Sequence, residues 1–312
     1  MSWDERRNLA DGLREDAVRL AWSQWGPLGG QVAGEARTPR AVVDPEALVL
    51  FSCALRGFEP RLWDVTAGLA ATEPSLLSVQ RMRNLAKVYP RRVQEALAEF
   101  GRVAVRDGND ARWAPLAAKG EVRSYRPGKV HLPIESSAER AGLMVRLRLA
   151  FGVTARTDIL TYLLTTSPER ASIADIARAT GYGPVPVRRA LEAMAAAQVV
   201  QASSTRPARY YAALESWGPL LGISKGAAPW RHWQPLMVFL VEVLEELRAD
   251  TEPPRTEYIW SSQLRKVVEA HWSALDLNRI KAPDPRHYLG AAYLEGFEET
   301  LRMVHRWIAQ NV

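Results

Sequence analysis

Apolar residues recur at helical spacing along most of the chain. Leu9, Leu13, Ala17 and Leu20 keep the 3–4 residue rhythm of one helix face. Asp44-Pro45 opens a second helix, with the Asp as N-cap and the Pro in the first helical position, and Leu48, Phe51, Ser52 and Leu55 share one of its faces. Further helices are predicted from Pro60 to Leu69, Ser75 to Lys87 and Arg91 to Val103. Asp107-Gly108 is a turn signal and is predicted to close a small hairpin. From Ala114 to Ser137 the period is lost amid Pro, Gly and charge, which reads as a linker or an extended arm.

The rhythm resumes with a connecting helix from Glu139 to Phe151, stopped by Gly152. Thr154 or Thr157 caps the next helix, whose apolar positions are Ile159, Leu160, Leu163 and Leu164. Ser172, with Asp175 three residues on, is an acidic variant of the capping box. Gly181-Tyr182-Gly183 is a turn. Pro186 fixes its own φ and pushes Val185 out of helical geometry, so the following helix is expected to start near Val185 and run to about Ala197. Val199 to Gln201 reads as a strand, Ser203, Ser204 and Pro207 as a turn, and Arg209 to Ala212 as the returning strand. Towards the C-terminus, Leu236, Phe239, Leu240, Val243, Leu244 and Leu247 make a broad apolar stripe that Pro253-Pro254 breaks. Leu264, Val267, Val268 and His271 repeat it, and a last long helix carries Leu294, Phe297, Leu301, Val304 and Ile308.

Three helices followed by a hairpin is the order of a winged helix. The expected fold is therefore mainly α: a central winged helix-turn-helix of three helices plus a β-hairpin wing, flanked by helical N- and C-terminal regions. The expected segments are 1–140, 141–215 and 216–312. Within the central one, Ala177, Gly181 and Val187 supply what a helix-turn-helix needs at their positions. These are a small residue where two helices touch, a residue tolerant of positive φ in the turn, and an apolar anchor for the second helix.

Charge sharpens this reading. The chain carries 41 Lys and Arg against 35 Asp and Glu, a net +6. The stretch from Leu143 to Glu215 is its most basic part per residue, with nine arginines against five acidic residues. That is the footprint of a phosphate-contacting module. The single cysteine, Cys53, lies in the apolar run LVLFSCAL and reads as core; it excludes an intramolecular disulfide and any multi-cysteine zinc site. No two histidines stand four apart around a carboxylate, and no phosphate loop, dinucleotide fingerprint or GxSxG occurs, so no enzyme, metal or cofactor is expected. No apolar run approaches the roughly 20 residues that span a bilayer, and the charged start MSWDERRNLADG has no signal-peptide core. A cytoplasmic protein without a membrane partner is the expectation. The 11 tryptophans concentrate outside the central segment and read first as helix packing, with a ligand pocket or an interface as the rival.

From about Thr154 to Ala213 the chain resembles winged-helix regulators of the broad MarR/ArsR type. The resemblance rests on TARTDILTYLL, SIADIARATGYGPVPVRRALEAM and VVQASSTRPARYYAA. It implies that the helix from Val185 enters the major groove and that the hairpin touches the backbone or the minor groove. The chain departs from that pattern in two ways. The cysteines that hold metal in ArsR-type proteins are missing. Pro184, Val185 and Pro186 also occupy the leading end of the recognition helix, where polar base-reading residues are common, so base readout would rest on few hydrogen bonds plus methyl contacts to thymine.

The candidate DNA-binding residues are Arg178, Pro184, Val185, Arg188, Arg189, Arg206 and Arg209. Arg188 and Arg189 lie away from the Val187/Leu191/Met194 face and have the chemistry to clamp a guanine edge or a phosphate. Arg206 and Arg209 flank the hairpin tip, which is either a phosphate-contacting wing or an ordinary polar turn. Arg178 suits either a phosphate or a surface ion pair. A separate basic run, VQRMRNLAKVYPRR, carries Arg81, Arg83, Lys87, Arg91 and Arg92. It reads first as one solvated face of two short helices and second as another nucleic-acid patch. The functional expectation is a sequence-specific transcriptional regulator of double-stranded DNA. It would act as a homodimer held by the C-terminal stripes, with a small-molecule or protein effector as a further partner. The alternative is a winged-helix protein-interaction module, such as an antitoxin-like or defence-associated partner.

Overall fold

The computed structural model describes residues 3–30, 39–117, 140–223, 226–249 and 256–312. Most of the stretch read as a linker or arm, and the Pro253-Pro254 break, lie outside these residues. The described chain is mainly helical, with one two-stranded antiparallel sheet.

The N-terminal helices are α1 (Trp3–Trp25), α2 (Pro45–Leu55), α3 (Pro60–Thr72), α4 (Val79–Ala86) and α5 (Arg91–Arg106). Asp44 caps α2 as its type and position predict, accepting from the Ala47 N–H. Every residue of α2 is buried, so this helix is the axis on which α1, α3, α4, α5 and α11 (Trp233–Arg248) pack. Asp107-Gly108 closes no hairpin: the Asp107 N–H bonds the Val103 carbonyl at the end of α5, and the chain continues into a 3₁₀ turn, Ala111–Trp113. Cys53 is buried in α2, and burial pushes its thiol up to about 12.

The C-terminal helices α11, α12 (Glu257–Ala270), α13 (Trp272–Leu277) and α14 (Tyr293–Asn311) share one hydrophobic core with the N-terminal ones. Leu236 to Leu247 and Leu294 to Ile308 bury their stripes inside this chain, the first against α1, α2 and α12 and the second against α1 and α12. Trp25, Trp113 and Trp233 are fully buried there, and Trp233 meets Trp307 edge-on at 5.7 Å. His271 is half-buried and pairs with Glu242 at 2.9 Å.

A second hydrophobic cluster is built from the middle of the chain. It holds α6 (Leu143–Phe151), α7 (Ala155–Thr166), α8 (Ile173–Thr180), α9 (Pro184–Ala196), strands β1 (Gln201–Ala202) and β2 (Tyr210–Tyr211), and α10 (Leu214–Leu221). A 3₁₀ turn, Arg140–Gly142, takes the first turn expected of α6. The last of these, α10, forms although Gly218 and Pro219 lie inside it.

A buried ionic network joins the two clusters. Arg81 of α4 bonds Asp44 and Glu46 at the start of α2, and its Nε donates to the Thr180 carbonyl at 2.5 Å. Arg148 of α6 makes a two-pronged bond with Asp158 of α7, both arms at 2.9 Å, and another with Glu46 at 2.7 and 3.0 Å. All five charged side chains are almost wholly excluded from solvent. Burial alone would raise the Glu46 carboxyl, but Arg148 and Arg81 outweigh it and hold that group down to about 2. An uncompensated charge in such a place costs several kcal/mol, roughly, so each ion depends on its partners.

No helix of the described residues is long and apolar enough to cross a membrane.

Candidate nucleic-acid interface

The α8–turn–α9 unit is assembled by local chemistry. The Ser172 hydroxyl accepts from the Asp175 N–H while the Asp175 carboxylate accepts from the Ser172 N–H, a closed capping box. That pairing with Ser172 keeps the Asp175 carboxyl below its ordinary range. Gly181 ends α8 in the left-handed region at φ 72°. Gly183 then caps α9, which starts at Pro184, one residue before the expected position. Prolines at 184 and 186 both fit a first turn, where missing N–H donors leave no intrahelical bond unmade.

Val187, Ala190, Leu191 and Met194 form the buried face of α9 against α7 and α8. Burial of the Val, Leu and Met side chains contributes about 1.5–3 kcal/mol each, which fixes the rotation of the helix. The opposite side is therefore held outward: Gly183 to Pro186, Arg188 and Arg189 are exposed, Val185 by 62%. Neither Arg188 nor Arg189 has a hydrogen-bond or ion-pair partner among the described residues. The two face different surroundings, since Arg189 also rims a groove described below.

β1 and β2 pair antiparallel, with Gln201 opposite Tyr211 and Ala202 opposite Tyr210. Ala171, just before α8, bridges Tyr210 from the other side. The hairpin is thus anchored to the start of α8. Arg206 stands exposed at its tip with no partner among the described residues. Arg209 is more constrained: its backbone N–H bonds the Ser203 hydroxyl, and its guanidinium donates to the Arg170 carbonyl at 2.9 Å. Arg178 lies 3.6 Å from Asp175 across one helical turn, an exposed ion pair. Of the seven candidate residues, Pro184, Val185, Arg188 and Arg189 come together at the head of α9. Arg206 stands apart on the hairpin, and Arg178 and Arg209 are engaged locally.

Two features carry no sequence signal that could have revealed them. One is a groove of about 780 Å³ between α7, α9 and α10, lined by Phe151, Arg156, Pro186, Arg189, Met194 and Trp217. Phe151 is 52% exposed beside it, and Leu149 and Leu220 are exposed nearby in the chain. The other is the approach of α4 to the turn. The Asn84 side chain donates to the Gly181 carbonyl at 3.2 Å, and a Cβ on Gly181 would stand 2.8 Å from Leu85. Both depend on residues far apart in the chain. No group of three or more His, Cys, Asp or Glu side chains that could hold a metal occurs among the described residues.

The chain matches no protein-family model, no curated protein and no solved structure.

Proposed function

We propose that residues 154–213 form a winged helix-turn-helix that binds duplex DNA. In this reading α9 lies in the major groove and the β1–β2 hairpin is the wing, and the chain acts as a transcriptional regulator. The observation that carries the reading is the head of α9. Its register is fixed by buried Val187 and Leu191, and Arg188 and Arg189 project from it unpaired. The order α7, α8, α9 and antiparallel hairpin supports it, as does a left-handed glycine at the turn. Arginine at such a position reads guanine or clamps phosphate. Pro184, Val185 and Pro186 offer methyl and ring contacts instead of donors, so discrimination would lean on thymine methyls and on DNA shape. The test is fluorescence polarisation of the full chain with duplex DNA from its own upstream region. Wild type is expected to bind and Arg188→Ala/Arg189→Ala to lose specific binding; equal binding by both would refute the assignment of α9.

A homodimer belongs to the same reading, because two-fold related recognition helices read inverted half-sites about 10 base pairs apart. Its contact would be sought outside the α11 and α14 stripes, which are buried within the chain.

The groove favours a second reading, a protein-docking module. An apolar cleft with exposed Phe151 and half-buried Trp217 at its edge suits an amphipathic segment of a partner. Salt separates the two: phosphate binding weakens steeply with ionic strength, whereas apolar docking does not.

A further inference from the structure

The run of five cations between Arg81 and Arg92 divides into three fates. Arg81 is buried in the ionic network. Arg91 pairs with Glu95 at 2.9 Å and Arg92 with Glu245 at 2.6 Å. Arg83 and Lys87 alone are exposed and without a partner among the described residues.

These two are not placed at random on α4. Gln80, Arg83, Asn84 and Lys87 follow i, i+3, i+4, i+7 spacing and so form one stripe along the helix. Asn84, inside that stripe, is the residue whose side chain bonds the Gly181 carbonyl. The stripe therefore runs beside the turn between α8 and α9. Gly181 is three residues before Pro184, a span of ~10 Å at full extension. Arg83 precedes Asn84 by one residue and Lys87, the C-cap of α4, follows it by three, so both cations belong to the stripe beside the turn that leads into α9. The junction is rigid: Arg81 bonds the Thr180 carbonyl, Leu85 abuts Gly181, and Tyr182 bonds Asp158 of the ionic network at 2.9 Å. The turn is thus held to α4 through Thr180 and Gly181 and to α7 through Tyr182.

We infer that α4 is a second phosphate-contacting element, with Arg83 and Lys87 extending the α9 surface along the backbone of the same DNA duplex. The inference rests on the DNA-binding reading of α9 and adds an element from outside the region that carries it. Neither cation is aimed at a base edge by the geometry of a groove-filling helix. Their contribution is therefore to affinity at every sequence and not to discrimination.

The experiment is a polarisation titration of the full-length chain with two duplexes, its own upstream DNA and a scrambled one, over a salt series. The proteins are wild type, Arg83→Ala/Lys87→Ala, Arg188→Ala/Arg189→Ala, and a charge-matched control, Lys266→Ala/Arg306→Ala, on α12 and α14. Loss of the α4 pair should weaken both duplexes equally, about tenfold at moderate salt, and flatten the plot of log K against log salt by about 2. The control should leave that slope unchanged. Unaltered slope and affinity in the α4 variant, with wild type binding and the α9 variant failing, would overturn the α4 inference and leave the α9 reading standing. A slope change equal to that of the control would also overturn it, because net charge alone would then account for the loss. Absence of binding by wild type would remove both.

Discussion

Val187 and Arg188 are neighbours with opposite fates, and the difference between them defines the proposed surface. Val187 is fully buried beneath α9 while Arg188 is exposed and unpaired. Val187→Asp would place a carboxylate in that core with no cation to receive it, at a cost of roughly several kcal/mol or a strongly raised pKa. We expect the urea midpoint of the full chain to fall or an early transition to appear; an unchanged unfolding curve would put residue 187 on the surface and break the register of α9. Arg188→Ala and Arg189→Ala should each change stability by no more than about 0.5 kcal/mol, because neither side chain holds anything in place. Gly181 is the third decisive residue. With φ at 72° and Leu85 at 2.8 Å from a built Cβ, Gly181→Ala meets backbone strain and a side chain that must move. The strain alone costs about 1–2 kcal/mol, and thermal unfolding of the variant should show it.

At the scale of elements, what was legible in the sequence is what is decided locally. Asp44-Pro45, the Ser172/Asp175 box and Gly181 act within a few residues of themselves, and each marks a helix end in the structure; Pro186 points to a start at Val185, and α9 begins one residue earlier, at Pro184. The hairpin was legible for the same reason, although only Gln201–Ala202 and Tyr210–Tyr211 pair as strands. Failures came where local signals conflicted with long-range packing. Gly218 and Pro219 argue against a helix, yet α10 forms, with Gly218 and Leu221 buried and Trp217 bonding the Val199 carbonyl. Asp107-Gly108 promised a hairpin but ends α5, because no alternating strand pattern follows it. The run from Arg81 to Arg92 read as one solvated face. Arg81 departs from it because Asp44 and Glu46, more than thirty residues earlier in the chain, reach it through the fold. A capping box closed on both sides gives a specific expectation: Ser172→Ala should destabilise α8 by about 1 kcal/mol, and Ser172→Thr by much less. Hydrogen exchange across residues 173–180 would detect the difference.

For the whole molecule, the shared core and the ionic junction govern behaviour. α1 and α2, on which the other helices of residues 3–117 pack, bury apolar faces against α11, and α1 also against α14, so a chain ending at Ile223 should lack a cooperatively folded N-terminal region. Calorimetry of that truncation against the full chain checks it; a full-sized N-terminal transition would contradict the shared core. Glu46 sets the response to acid. Its carboxyl is held at about 2 in the fold against an ordinary 4.5. A depressed carboxylate stabilises fully above its unfolded value and loses that contribution as pH falls towards its folded one. Stability should accordingly drop between about pH 4.5 and 2, and Glu46→Gln should flatten that part of the profile at the cost of lower stability at neutral pH. Arg148→Met leaves Glu46 and Asp158 without their shared cation. It should lower stability by about 3–5 kcal/mol, read from urea unfolding. The same junction holds α4 against the α8–α9 turn, so damage to it should also weaken any function of the α9 surface.

The central claim is that the outward face of α9 meets duplex DNA. The most direct measurement is the affinity of the full-length wild-type chain for a labelled duplex between low and moderate salt. Contacts from Arg188, Arg206 and their neighbours to several phosphates predict binding whose log K falls with log salt at a slope of about −2 or steeper. No binding at low salt, or binding that ignores salt, would contradict the account.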